Sequence, residues 1–123
     1  MKISFKRLVK SFFNAFQGIK HACSQQNFFL MILLAMGSIL LGYGLQISYY
    51  EWLILIVIIG LILSLEMFNT VTETTLDLIE PNLSPEVKKI KDVIAGTVLV
   101  ACCMAVIVGG IIFIPKILII FHF

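Results

Sequence analysis

Hydrophobic positions along this chain change their period once. Phe5, Leu8, Val9, Phe12, Phe13, Phe16 and Ile19 recur at helical spacing, with Lys6, Arg7, Lys10, Asn14 and Gln17 on the opposite side. That pattern predicts an amphipathic surface helix over about residues 3–24, lying in a membrane interface. Beyond it the alternation gives way to three nearly unbroken apolar spans, at about 28–45, 52–77 and 90–115. Crossing the hydrocarbon core takes about 20 mostly apolar residues, so each is long enough to span it. The first span carries Gly37, Gly42 and Gly44, which suits close helix packing. The second is apolar from Trp52 to Leu65 and then turns polar on one side. The third is apolar from Val93 to Ile114, with Pro115-Lys116 after it. "LSPEVKK" reads as a helix start, with Ser84 able to cap and Pro85 in the first turn. The predicted fold is an all-α membrane protein: one surface helix plus three transmembrane helices, forming a single domain over residues 1–123.

Composition agrees. Of 123 residues, 60% are hydrophobic and 13% charged, and mean hydropathy is +1.07. Soluble domains average roughly 45–50% apolar and about 25% charged, so this chain is built for lipid, and no nucleic-acid partner is expected. A chain this short cannot enclose a large pocket alone, so any site is shared between subunits or open to lipid. The amphipathic stretch before Phe28 is too long for a cleaved signal peptide, and no small-residue cleavage site follows it. Lys2, Lys6, Arg7, Lys10 and Lys20 precede the first span, and Lys88, Lys89 and Lys91 separate the second from the third. The intervening "QISYYEW" has neither Lys nor Arg. The positive-inside rule therefore places the N-terminus and the 77–92 loop in the cytoplasm and the C-terminus outside. Tyr49, Tyr50 and Trp52 would form an aromatic belt on the outer side. Cys23, Cys102 and Cys103 are odd in number, two of them adjacent, and read as packing residues. His21 and His122 show no metal-ligand spacing.

The chemistry is concentrated in "SLEMFNTVTETTLDLIEP", Ser64 to Pro81. At 100° per residue, Glu66, Asn69, Glu73 and Asp77 fall within about 80° of one another, with Thr70 on the border. An ionised carboxylate at mid-bilayer costs about 3 kcal/mol on insertion scales. Glu66 lies about 21 Å of helix beyond Trp52, which puts it in the inner leaflet, where that cost is lower. Lys88, Lys91 and Asp92 come just before the third span, at a depth close to Glu73 and Asp77. Carboxylates, an amide and a lysine at the cytoplasmic boundary can hold a metal–nucleotide, because Mg²⁺ needs one or two carboxylates plus phosphates. A further carboxylate can take the proton of an attacking hydroxyl. Neither glycine-rich phosphate motif is present. Residue types alone leave open a small proton- or ion-coupled transporter, although its acid would sit near the midplane with access from both faces.

"EMFNTVTETTLD" and, beyond the turn, "KIKDVIAGTVLV" resemble the signature of the small bacterial integral-membrane diacylglycerol kinases and the related undecaprenol kinases. That pattern is approximately E-x-x-N-[TS]-x-x-E-x-x-x-D followed by K-x-K-D or a close variant. "FFNAFQGIKHA" is also similar to the family's opening helix, including Gly18. The resemblance implies an ATP:lipid phosphotransferase of the bacterial inner membrane, working as a homotrimer with shared sites. It implies Glu66 as general base on the lipid hydroxyl and Glu73 as ligand of the Mg²⁺ on ATP. Asn69, Asp77, Lys91 and Asp92 would line the nucleotide and phosphate site, with Arg7 and Lys10 near the nucleotide. The family glutamate that helps hold the metal, within E-x-x-F-R, is replaced here by Gln26, and the arginine by Leu30. No acid precedes Glu51 to stand in, so metal binding is expected to be weaker. "GGIIFIPKI" favours diacylglycerol as the lipid, with undecaprenol as the alternative.

Overall fold

A computed structural model describes residues 3–122; Met1, Lys2 and Phe123 lie outside the described residues. The described chain is helical, in the order α1 (Phe5–Cys23), α2 (Gln26–Gly44), α3 (Tyr49–Ile79) and α4 (Pro85–Ile120). Three of these, α2, α3 and α4, are long and apolar enough to cross a membrane. At 1.5 Å per residue α3 and α4 are roughly 46 and 54 Å long, well beyond the ~30 Å hydrocarbon core. Both therefore project past it, which is why they overrun the spans expected from apolarity at both ends.

The helix ends follow from local chemistry. Ser84 caps α4 by accepting from the Val87 N–H at 3.3 Å, with Pro85 in the first turn, as its sequence suggests. Ser48 and Glu51 close a capping box at the start of α3: Glu51 Oε2 accepts from the Ser48 N–H at 2.7 Å, and Ser48 Oγ from the Glu51 N–H at 3.3 Å. The end of α2 is a Schellman turn in which Gln46 N–H donates to the Tyr43 carbonyl and Ile47 N–H to the Gly42 carbonyl. Gln46 takes the left-handed conformation that turn requires, at φ 50°. Pro115 does not end the third span as its sequence position suggests: α4 runs through it to Ile120. Proline removes one backbone hydrogen bond, but a chain in lipid must otherwise satisfy its backbone internally, and continued helix does so.

Most of the packing is between antiparallel α3 and α4; α2 lies against α3, and α1 against α2. Lys91 reaches Asp77 at 2.5 Å at one end of the α3–α4 pair, and Lys116 reaches Glu51 at 3.1 Å at the other. The buried cluster of Ile47, Leu55 and Ile112 sits near the Lys116 end, flanked by Trp52, Val108 and Phe113. Of the three glycines of α2, only Gly42 mediates close approach. A Cβ there would lie 3.0 Å from Ile47 Cδ1 and 3.0 Å from the Trp52 ring, whereas Gly37 and Gly44 have nothing within 4 Å. Trp52 is thus turned inward and meets Tyr43 edge-on at 5.2 Å, while Tyr43, Tyr49 and Tyr50 are the exposed aromatics of that end.

Elsewhere α2, α3 and α4 expose large apolar side chains, as a lipid-embedded bundle must. Helix α1 exposes Phe5, Phe12, Phe13 and Phe16 together with its basic residues, in keeping with an interfacial position. The cysteines are free; Cys102 is half-buried, but Cys103 is exposed and packs into no core. Gly42→Val should lower stability by about 1–3 kcal/mol through overpacking against Ile47 and Trp52, read as a fall in the thermal unfolding midpoint in detergent.

Candidate functional site

The polar stripe of α3 forms one wall of a cleft whose other wall is the start of α2. Glu66, Thr70, Glu73, Thr74 and Asp77 face Gln25, Gln26 and Asn27 across a space of about 310 Å³. The α3 residues recur every three or four positions, so the stripe runs straight along about 16 Å of helix from Glu66 to Asp77. Burial changes along it. Glu66 is only 4% exposed, while Glu73 and Asp77 open to the surface. Thr70 Oγ1 donates to the Glu66 carbonyl at 3.0 Å and Thr74 Oγ1 to the Thr70 carbonyl at 2.9 Å. Both hydroxyl protons are therefore held by the main chain.

Glu66, Glu73, Asp77 and Gln26 are brought together as their positions suggested. Lys91 joins them at the edge through its ion pair with Asp77, crossing from α4 to α3. Asp92 does not: it pairs with Lys88 at 2.7 Å, one turn back along its own helix. Asn69 is buried at 6% exposure but does not line the cleft, because it sits at the edge of the stripe. The two α3–α4 ion pairs set a register that brings Asn69 level with about Val98 and Leu99, and its Oδ1 is buried without a hydrogen-bond partner. Arg7 and Lys10 also stay outside the cleft. Roughly 20–24 Å of α1 separates them from the α1–α2 turn, and among the described residues neither makes an ion pair. Gln25 and Asn27 were not singled out from sequence. Their place on the facing wall depends on how α2 crosses α3, which no residue pattern within α2 states.

The cleft holds three carboxylates against one lysine at its rim. Among the described residues no three His, Cys, Asp or Glu side chains converge as a metal cage. The donors present are hard oxygens, carboxylate and amide, which suit Mg²⁺ arriving with phosphate ligands of its own better than a metal held by protein alone. Directly beyond Glu66 the lining becomes apolar. A second cavity of about 190 Å³ lies between α2, α3 and α4, bounded by Met31, Ile62, Leu63 and Cys102 on its side nearest Glu66. The hydrophilic cleft thus ends at a buried carboxylate, and the hydrophobic cavity begins about one helical turn further along α3.

An acidic cleft near one end of a three-span helical bundle, with an apolar cavity a helical turn away, belongs to a multi-pass membrane protein that carries polar chemistry beside its apolar core. The sequence matches the prokaryotic diacylglycerol kinase family over residues 13–113, and the chain belongs to that family of lipid kinases. It is similar to the undecaprenol kinase of Bacillus subtilis, 38% identical over 111 residues, covering 89% of this chain and 90% of the relative. It is also similar to the diacylglycerol kinase of Synechocystis sp., 34% identical over 113 residues and covering 90% and 65%. The diacylglycerol kinase of Helicobacter pylori is 30% identical over 107 residues, covering 86% and 84%. No solved structure matches the chain. Membership in a kinase family implies use of ATP, and with three apolar helices it makes this a multi-pass bacterial membrane protein.

A buried carbonyl without a partner costs about 1–3 kcal/mol. Asn69→Leu is therefore expected to leave the thermal unfolding midpoint unchanged or raised; a clear fall would mean that the amide is satisfied in the folded protein.

Proposed function

We propose that this protein transfers the γ-phosphoryl group of ATP to the hydroxyl of undecaprenol, giving undecaprenyl phosphate and ADP. The observation that carries this reading is the acidic cleft that ends at buried Glu66, with an apolar cavity about one helical turn further along α3. A lipid alcohol whose chain lies in the apolar cavity presents its hydroxyl where Glu66 can accept the proton. The freed oxygen attacks the γ-phosphorus in line, the bond to the β-phosphate oxygen breaks, and ADP leaves with that electron pair. Glu66 then releases its proton toward the open, aqueous end of the cleft. Glu73 and the Gln26 amide oxygen would hold Mg²⁺, which supplies charge neutralisation on the phosphates. Lys91 and Asp77 complete the nucleotide and phosphate site within this chain, whereas Asn69, buried away from the cleft, and Asp92, paired with Lys88, stand outside it.

Three acids and one lysine leave the cleft short of positive charge for a polyphosphate. In this reading Arg7 and Lys10 supply it from the surface helix of a neighbouring protomer, in a homotrimer with shared sites. The cleft faces the cytoplasm, with α1 on the same side, in line with the distribution of lysine and arginine. The 38% identity to an undecaprenol kinase supports undecaprenol as the acceptor. Diacylglycerol is the second reading, supported by the relatives at 34% and 30%.

The test is phosphate transfer from labelled Mg·ATP by the purified protein in mixed micelles, with undecaprenol and diacylglycerol offered in parallel. Faster labelling of undecaprenol is expected; faster labelling of diacylglycerol selects the second reading, and transfer to neither overturns both. Glu66→Gln should lower turnover by roughly 10²–10⁴-fold while Mg·ATP binding, measured separately, is retained. Gln26→Glu restores a charged ligand and should lower the Mg²⁺ concentration for half-maximal rate; an unchanged titration would remove Gln26 from the metal site.

A further inference from the structure

A second polar space lies beside the cleft, on α1. Gln17, Lys20, His21 and Ser24 line about 350 Å³ at the corner where α1 turns into α2. They recur at i, i+3, i+4 and i+7, which places them on one face. The corner is fixed from within. Ser24 donates to the His21 carbonyl twice, from Oγ at 2.6 Å and from its N–H at 3.1 Å, and the Gln25 N–H donates to the Ala22 carbonyl at 2.9 Å. Ala22 is the buried residue of α1. Because the Ser24 hydroxyl proton is taken up in the corner, the donors around the space are the Lys20 ammonium, the His21 ring and the Gln17 amide. Neither Lys20 nor His21 makes an ion pair among the described residues. No carboxylate lines the space, and the sequence holds none before Glu51. Donors gathered without an acid suit an anion, and charge-assisted bonds to phosphate oxygens are among the strong ones.

Orientation narrows the choice of anion. At 100° per residue these four positions centre about 110° from the middle of the apolar face of α1. With that face on the membrane, the space looks sideways along the surface, at the level of lipid headgroups. It also borders the acidic cleft: Ser24 lines the one and Gln25, the next residue, lines the other.

We propose that Lys20, His21 and Gln17 form a binding site for a lipid-borne phosphate monoester, which receives the phosphorylated lipid as it leaves the cleft. The role in product release rests on the lipid-kinase reading; the binding does not. A phosphate monoester carries about −1.5 to −2 charges and three acceptor oxygens. Once the phosphoryl group is on the lipid, that charge stands among Glu66, Glu73 and Asp77 and is repelled by them. Lys91 at the rim is already paired with Asp77. The space on α1 offers unpaired cations at headgroup depth, so the phosphate moves sideways while the lipid chain stays in the bilayer. A phosphodiester headgroup has less charge and fewer free oxygens, and matches the three donors less well. The site therefore separates the product from bulk phospholipid as well as from the unphosphorylated acceptor.

Binding can be read directly, because His21 and His122 are the only imidazoles in the chain. In a His122→Asn background the ring of His21 stands alone in the NMR spectrum. That protein, folded in neutral maltoside micelles, is titrated with dodecyl phosphate, with phosphatidylglycerol matched for micelle charge, and with inorganic phosphate. Dodecyl phosphate is expected to shift the His21 ring signals saturably, and Lys20→Gln to weaken its binding about tenfold. Both substituted positions are exposed, so the fold is retained in each variant. An equal shift from phosphatidylglycerol would mean that the ring senses surface charge alone. Equal binding of inorganic phosphate would mean that the lipid is not recognised. Either result overturns the inference, as does a titration that Lys20→Gln leaves unchanged. Phosphate transfer in the micelle assay by a protein that binds no dodecyl phosphate overturns it too, and leaves the lipid-kinase reading standing. Saturable binding without transfer to either lipid overturns that reading, and with it the role in product release.

Discussion

The antiparallel pairing of α3 and α4 is the constraint from which the rest follows. Two ion pairs fix it, Lys91 with Asp77 near one end and Lys116 with Glu51 near the other, and both imply the same register. Between them the helices meet through small and branched residues such as Leu55, Ile58, Val98 and Ala101. Exposed ion pairs contribute little, but three of these four side chains, Glu51, Lys116 and Lys91, are only partly exposed. A slip of α4 by one turn would break both pairs at once. It would also take Lys91 away from the cleft and Cys102 away from Glu66. Register, stability and site assembly are therefore one property.

The second determinant is the graded burial of the α3 stripe. Polar residues in a membrane helix are costly, and this chain concentrates them where the cost falls fastest, from buried Glu66 to open Asp77. Facing them with amides instead of cations keeps the cleft net negative. Such a cleft attracts a cation-bearing ligand and repels a bare anion, which under the proposed reaction would make the bound metal a condition of nucleotide entry.

Much of this was legible in the chain itself. The apolar face of α1, the three spans, the Ser84-Pro85 start and the shared face of Glu66, Glu73 and Asp77 all follow from periods and caps within one element. What the sequence hid depends on relations between elements. Gly42, and not Gly37 or Gly44, is the close-packed glycine because the α2–α3 turn brings Ile47 and Trp52 back over it. Asn69 shares the stripe's face on a wheel, yet it is buried away from the cleft. Asp92 looks poised beside the acids until Lys88, four residues away, takes it. The box formed by Ser48 and Glu51 was readable as S-x-x-E, but Glu51 also receives Lys116 from far along the chain, which no local motif announces.

The tight turn between α2 and α3 has a consequence for how the chain enters a membrane. Leu45 to Ser48 is all that separates the two helices, and the Schellman bonds and the capping box satisfy its backbone from within the hairpin. With the proposed orientation, that turn and Glu51 are the main polar load carried across the bilayer on insertion, and neither Lys nor Arg accompanies them. The α2–α3 hairpin is thus suited to cross as a preformed unit, leaving α4 to be captured afterwards by the carboxylate the hairpin has delivered to the far side.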